Sequence, residues 1–245
     1  MPTAILPLPP LRLMSSRWHK YGYIAGTVLF GALALLFLCV AALSFSRNFV
    51  DMWLTLGTDL RIAGNYVGLV FGFFMYVVFL FFTVVPRVRH NLVWFMKFTH
   101  ELTHTLIALV FGGKIREFVV KDRECYVSYL TGPVGYLPIT LSPYCIPVYT
   151  FMLFPFRLWG DNHYMIIFDA MIAFTYAFHL HSFVRYTRFS QPDIVNCGVE
   201  RSVAFISFVQ LCVFSLIVAV PKGGVMNALC RVFWEYPFEI LSKFF

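Results

Sequence analysis

Residues 98–106 read FTHELTHTL, set between NLVWFMK (91–97) and IALVFGG (107–113). The flanks are greasy enough to cross a bilayer, yet the centre carries two imidazoles and a carboxylate, which are costly in hydrocarbon. On a helix, His100 and His104 lie one turn apart on the same face, so both rings can reach one metal ion. Glu101 sits about 100° round the helix, where its carboxylate can reach a water at the metal without binding the metal. The chemistry needs that arrangement. Two imidazoles and one further ligand leave a position open for water, and the neighbouring carboxylate can move its proton. His100 and His104 are therefore candidate metal ligands, and Glu101 is the candidate general base.

The rest of the chain places this motif in a membrane. Hydrophobic residues make up 60% of the 245, aromatics 19% and charged residues only 13%, against about 25% charged in soluble domains. Apolar runs of ~20 residues are long enough to span. Six qualify, at about Tyr21–Phe45, Gly64–Val85, Asn91–Phe111, Tyr129–Phe154, Tyr164–Val184 and Ser202–Val220. The expected fold is an all-α polytopic membrane protein of about six transmembrane helices. A Pro-rich lead-in (1–20) precedes a membrane domain (21–221, core 91–193), and an amphipathic tail (222–245) follows. In that tail Arg231, Glu235, Glu239 and Lys243 recur at a spacing of four, which suits a helix lying in the interface or packed on the bundle.

The net charge of +7 belongs to loops and ends, where it meets anionic headgroups. No nucleic-acid-reading motif is present, so nucleic acid is not an expected partner. Basic residues divide evenly between the two sides of the six expected spans. Only those ahead of the first span lean the termini towards the cytoplasm. The expected location is the cell (inner) membrane, as an integral multi-pass protein. The six cysteines are scattered without a CxxC and suggest neither a disulfide framework nor a thiolate zinc cage.

After the motif helix comes GGKIREFVVKDRECYVSYLTGPVGY (112–136). The double glycine ends the helix, and IREFVV and CYVSY read as two short strands about a polar turn. Pro133, Pro138, Pro143 and Pro147 then interrupt the fourth span. Such breaks are tolerated in a bilayer where protein or a water-lined cavity satisfies the freed backbone.

Together HELTH on an apolar helix, the strand pair behind it and the glycine-proline entry to the next helix resemble the site-2 protease family of intramembrane zinc metalloproteases. The resemblance covers about residues 91–193. It implies His100 and His104 as zinc ligands, Glu101 as base, and an aspartate from a later helix as third ligand. It also implies a membrane-protein substrate whose transmembrane segment unwinds and pairs with the hairpin, putting Ile115, Phe118, Val119 and Val120 at the substrate. Thr103 stands where the family often has glycine, and the family's asparagine after the hairpin is missing.

The family's Leu-Asp-Gly motif has no full copy. Its nearest counterpart is Phe168-Asp169-Ala170, so Asp169 is the favoured third ligand. His179 is the alternative, since ten residues or ~15 Å of helix separate the two. Asp193, in Gln191-Pro192-Asp193, reads as a turn or capping residue and is a ligand only if that loop folds back into the membrane. The expected function is hydrolysis of a peptide bond in or near a transmembrane segment. A divalent-metal transporter and a catalytically inactive metal-binding membrane protein are the alternatives.

Overall fold

The computed structural model describes residues 36, 38–54, 60–121, 124–159 and 164–242. The expected lead-in and most of the first span lie outside the described residues. Helix α1 covers 38–54, α2 Leu60–Phe82 and α3 Pro86–Val110. Strands β1 (Lys114–Val120) and β2 (Cys125–Leu130) follow. Then come α4 (Pro133–Leu141), a 3-10 turn (Ser142–Tyr144) and α5 (Val148–Trp159). Helices α6 (Met165–Tyr186), α7 (Pro192–Cys197), α8 (Val199–Cys230) and α9 (Tyr236–Leu241) complete the chain.

Among the described residues α2 and α6 meet along the most extensive helix contact, and two glycines explain it. A Cβ on Gly68 would lie 2.6 Å from the carbonyl oxygen of Ile166, and one on Gly72 would run into the carbonyl of Ala170. Only hydrogen fits at either place, so the backbones touch as small-residue pairs do in membranes. Tyr66 and Leu69 of α2, Ile172, Ala173 and Tyr176 of α6, and Val213, Leu216 and Ile217 of α8 form the main buried cluster. The motif helix α3 is seated on the same pair, with Leu92 and Met96 packed among Tyr76, Ala177 and Phe178. Val70, Phe71, Phe74, Val77 and Phe81 point outward from α2 and are exposed, which suits a lipid-facing surface.

Helix α3 stops at Gly112, whose φ of 69° opens the left-handed region. The amide of Gly113 donates to Ala108 O at 2.7 Å and that of Gly112 to Leu109 O at 3.0 Å, a Schellman ending. The chain then turns into an antiparallel hairpin, closed by Lys121 N–H donating to Glu124 O at 2.8 Å. A register shift lies between Ile115 and Glu117.

One expectation is corrected and another is not shown. The fourth span is not continuous: its first residues belong to β2, and segments 135–144 and 148–159 meet at 89°. Pro143 and Pro147 cannot donate backbone hydrogen bonds, so the helix breaks between them. Six spans are also not shown. Among the described residues two helical stretches, Met165–Tyr186 and Val199–Leu241, are long and apolar enough to cross a membrane, or three if the bent pair is one broken span. Helix α3 does not qualify, and it carries Arg87, Arg89, Lys97 and Glu101 along its length. The tail continues from α8 past a break at Gly224 (φ 76°) and packs on α1. There Arg47 pairs with Glu239 at 2.5 Å and lies 5.3 Å from the Tyr236 ring centroid.

Candidate metal centre

Helix α3 presents His100 and His104 on one face, with ring centroids 5.0 Å apart and planes nearly perpendicular. The orientation of His104 comes from a neighbouring break. In a regular helix Ile139 O would accept from residue 143, but Pro143 has no N–H. That carbonyl instead faces His104 Nδ1 at 2.8 Å, besides accepting from the Ser142 backbone and hydroxyl. A carbonyl only accepts, so Nδ1 carries the proton, and the neutral ring then has its lone pair on Nε2.

What Nε2 faces is Asp193. The Asp193 Oδ2 atom lies 3.7 Å from His104 Nε2 and 3.8 Å from His100 Nε2. Among the described residues these three form a group whose candidate ligand atoms all lie within 4.8 Å of one another. The separations are too long for direct hydrogen bonds. Two ligands held tetrahedrally at ~2.0–2.1 Å from zinc stand about 3.4 Å apart, close to what is found. Burial alone would raise the Asp193 carboxyl, but contact with the two imidazoles outweighs it and holds the group well below the usual carboxylate range. An ionised carboxylate opposite two imidazole nitrogens, one of them a lone pair by its tautomer, is a donor set that fits a divalent cation.

Asp193 reaches this place from α7, a six-residue helix begun by Pro192. Its carboxylate does not cap that helix; no side-chain cap is present there. Tyr144 OH instead donates to Oδ2 at 3.0 Å. Helix α7 is anchored by buried Ile194, whose carbonyl accepts from Ser202 Oγ at 3.1 Å.

Glu101 is buried beside the cluster, and the backbone N–H of Val127 on β2 is directed at its carboxylate. The hairpin register explains that direction. The Lys121–Glu124 pair is hydrogen-bonded, and alternation along an antiparallel ladder makes Phe118–Val127 a non-hydrogen-bonded pair. The amide of Val127 therefore points away from β1. Tyr129 of β2 stacks on His104 at 6.4 Å and meets Thr140 Oγ1 at 3.3 Å. A cavity of ≈ 10 Å³, room for about one water, lies between α3, α5 and α6, bordered by Thr99, His100, Thr103, Thr175 and His179.

The structure does not bring Asp169 to the imidazoles. Its carboxylate accepts from Arg157 Nε at 2.7 Å and Nη2 at 3.4 Å, both side chains being almost fully buried (2% and 4% exposed). The partner that a buried Asp requires is thus a cation on α5, a residue that reads from sequence as a loop arginine. His179 is also apart from the cluster: its Nε2 lies 3.1 Å from Gln210 Nε2, and its ring stacks on Tyr176 at 6.2 Å. Of the expected substrate residues, Ile115, Phe118, Val119 and Val120 lie on β1, where Phe118 packs edge-on against Phe98 at 5.9 Å. The strand that meets Glu101 is β2. One sequence signal for Asp193 existed: it is the sole acidic residue between Asp169 and Glu200.

Comparison with known families adds one finding. Residues 73–190 match the family model described as Peptidase M50B-like. The matched stretch runs from α2 to the end of α6, takes in His100, Glu101, His104, Asp169 and His179, and stops short of Asp193. No curated protein and no solved structure matches the chain.

Proposed function

We propose, from the premise that residues 73–190 belong to the M50 peptidase family, that this protein is an intramembrane zinc metalloprotease. It would cleave a peptide bond in or near a transmembrane segment of another membrane protein. The observation that carries this reading is the facing of His100 Nε2 and His104 Nε2 onto Asp193 Oδ2, with buried Glu101 on the same helix. His100, His104 and Asp193 would hold the zinc, Asp193 taking the place expected of Asp169.

Zinc, when bound, would polarise the scissile carbonyl and make water acidic enough to surrender a proton near neutrality. The remaining steps belong to the protein. Ile139 keeps the His104 ring turned so that Nε2 faces the metal position. Glu101, buried among α3 and β2, takes a proton from the attacking water and returns it to the leaving amine nitrogen as the C–N bond breaks. The Val127 amide holds that carboxylate in position. A substrate segment must be extended to be cut, and the edge of a two-stranded sheet beside the site suits an extended chain.

Metal analysis on purified wild type, Asp193→Ala and Asp169→Ala tests the ligand set. About one zinc per chain in wild type and Asp169→Ala, with loss in Asp193→Ala, is the expected result. Zinc retained by Asp193→Ala would overturn the ligand set. Proteoliposomes carrying fluorogenic transmembrane peptides test the activity. Zinc uptake into liposomes without peptide cleavage would favour the carrier alternative.

A further inference from the structure

Tyr144 has no part in the mechanism above, yet it is 2% exposed and its hydroxyl ends at the centre of the site. It sits on the 3-10 turn between the halves of the bent pair, made where Pro143 breaks the helix. Its O–H donates to Asp193 Oδ2 at 3.0 Å, the same oxygen that faces both imidazoles. Its ring meets that of His100 edge-on, with centroids 5.4 Å apart.

The turn itself is braced from the bundle. Gln210 Nε2 on α8 donates to Tyr144 O at 2.9 Å and lies 3.1 Å from His179 Nε2. Gln210 Oε1 accepts from Tyr176 OH at 3.2 Å. An amide nitrogen has two hydrogens, and these two contacts use both, which makes His179 Nε2 the acceptor. His179, apart from the metal cluster, thereby has a place in the network.

We propose that Tyr144 is a positioning residue for the metal. Its phenol fixes the Asp193 carboxylate with Oδ2 towards the imidazoles, and Gln210 with His179 holds the turn that carries it. The inference rests on the reading of Asp193 as third ligand. The physical need is plain. The terminal torsion of an aspartate is broad, and Asp193 projects from a helix of six residues without a cap. A single donor on the ligand oxygen removes that freedom before the metal arrives. Hydrogen-bond partners of ligands commonly change metal affinity by about 10–100-fold when lost.

The test is zinc affinity of the full chain in detergent, by competition with a chromophoric chelator, with melting of the metal-free protein as control. Tyr144→Phe should weaken zinc about tenfold or more and lower the metal-free melt by no more than the loss of one hydrogen bond. In an Asp193→Asn background the same change should have little further effect, because the phenol acts through that carboxylate. Cobalt-substituted Tyr144→Phe should show an altered visible spectrum. Wild-type affinity in Tyr144→Phe, with zinc weakened in Asp193→Asn, would overturn the proposal and leave the ligand reading intact. Unchanged affinity in both would overturn the two together. An equal loss in both backgrounds would show only a packing defect and also overturn it. Should Tyr144→Phe not fold, Gln210→Met decides: zinc weakened by a smaller factor supports the proposal, and wild-type binding refutes it.

Discussion

That His100 and His104 share one face, with Glu101 beside them, was legible from spacing alone, because a helix converts an i, i+4 pair into one face whatever surrounds it. The carboxylate that faces those rings, Asp193, was not. The resemblance of Phe168-Asp169-Ala170 to the family's motif favoured Asp169, but a motif match says nothing about which neighbour is nearer, and Arg157 on the adjoining helix takes that carboxylate. Removing one member of such a buried pair typically costs about 3–5 kcal/mol. Asp169→Ala should therefore melt well below wild type yet keep its zinc, and Arg157→Met with Asp169→Leu should regain much of the loss. Glu101→Gln should keep zinc and lose about 10²-fold or more in turnover, whereas His100→Ala should lose both. The depressed Asp193 carboxyl fixes a sign as well. Its contribution to stability is fully present above the ordinary aspartate value of about 3.9 and fades only as pH falls through its lower folded value. Zinc release on mild acidification should therefore follow imidazole protonation. Zinc content measured against pH should fall through the range where histidine ordinarily titrates, about 6.5, and not near the aspartate range.

At the level of elements, the glycine stop after α3 and the two strands follow from local chemistry and are readable in the residues. The broken fourth span was half-readable: the prolines announced interruption, but a kinked span and an 89° bend share one sequence pattern. The Gly68–Gly72 spacing was a signal that went unread, since its meaning depends on the helix opposite. Gly72→Ala should force α2 and α6 apart and lower the melting temperature, a loss that Gly223→Ala, facing the flexible Asn227 side chain, should not match. The hairpin offers a cleaner probe. Val127 sits at a non-hydrogen-bonded position, so Val127→Pro deletes the amide directed at Glu101 while sparing the ladder bonds to β1. Hydrogen bonds to charged groups contribute about 1.5–3 kcal/mol. Turnover should thus fall about tenfold or more with zinc content unchanged, measured by single-turnover cleavage beside metal analysis.

Across the whole molecule, the proposed ligands come from α3 and from α7, elements far apart in the chain and joined through the bent pair and α6. A cation held by both ties the two ends of the domain together, and ligand binding to the folded state raises its stability by mass action. Chelation should lower the melting temperature of wild type and leave that of His100→Ala unmoved. Amide exchange across 191–198 should quicken in the same experiment. Composition made the membrane setting readable, but the number of crossings was not, because α3 trades apolar length for the polar side chains of the site. The late position of Asp193 also has a consequence for biogenesis. On the proposed ligand set, a nascent chain already threaded through α6 owns two imidazoles and a base but no third corner. If the protein is the proposed hydrolase, it would stay unarmed until the segment between α6 and α8 emerges, and the order of synthesis itself would keep the unfinished chain from cutting its neighbours.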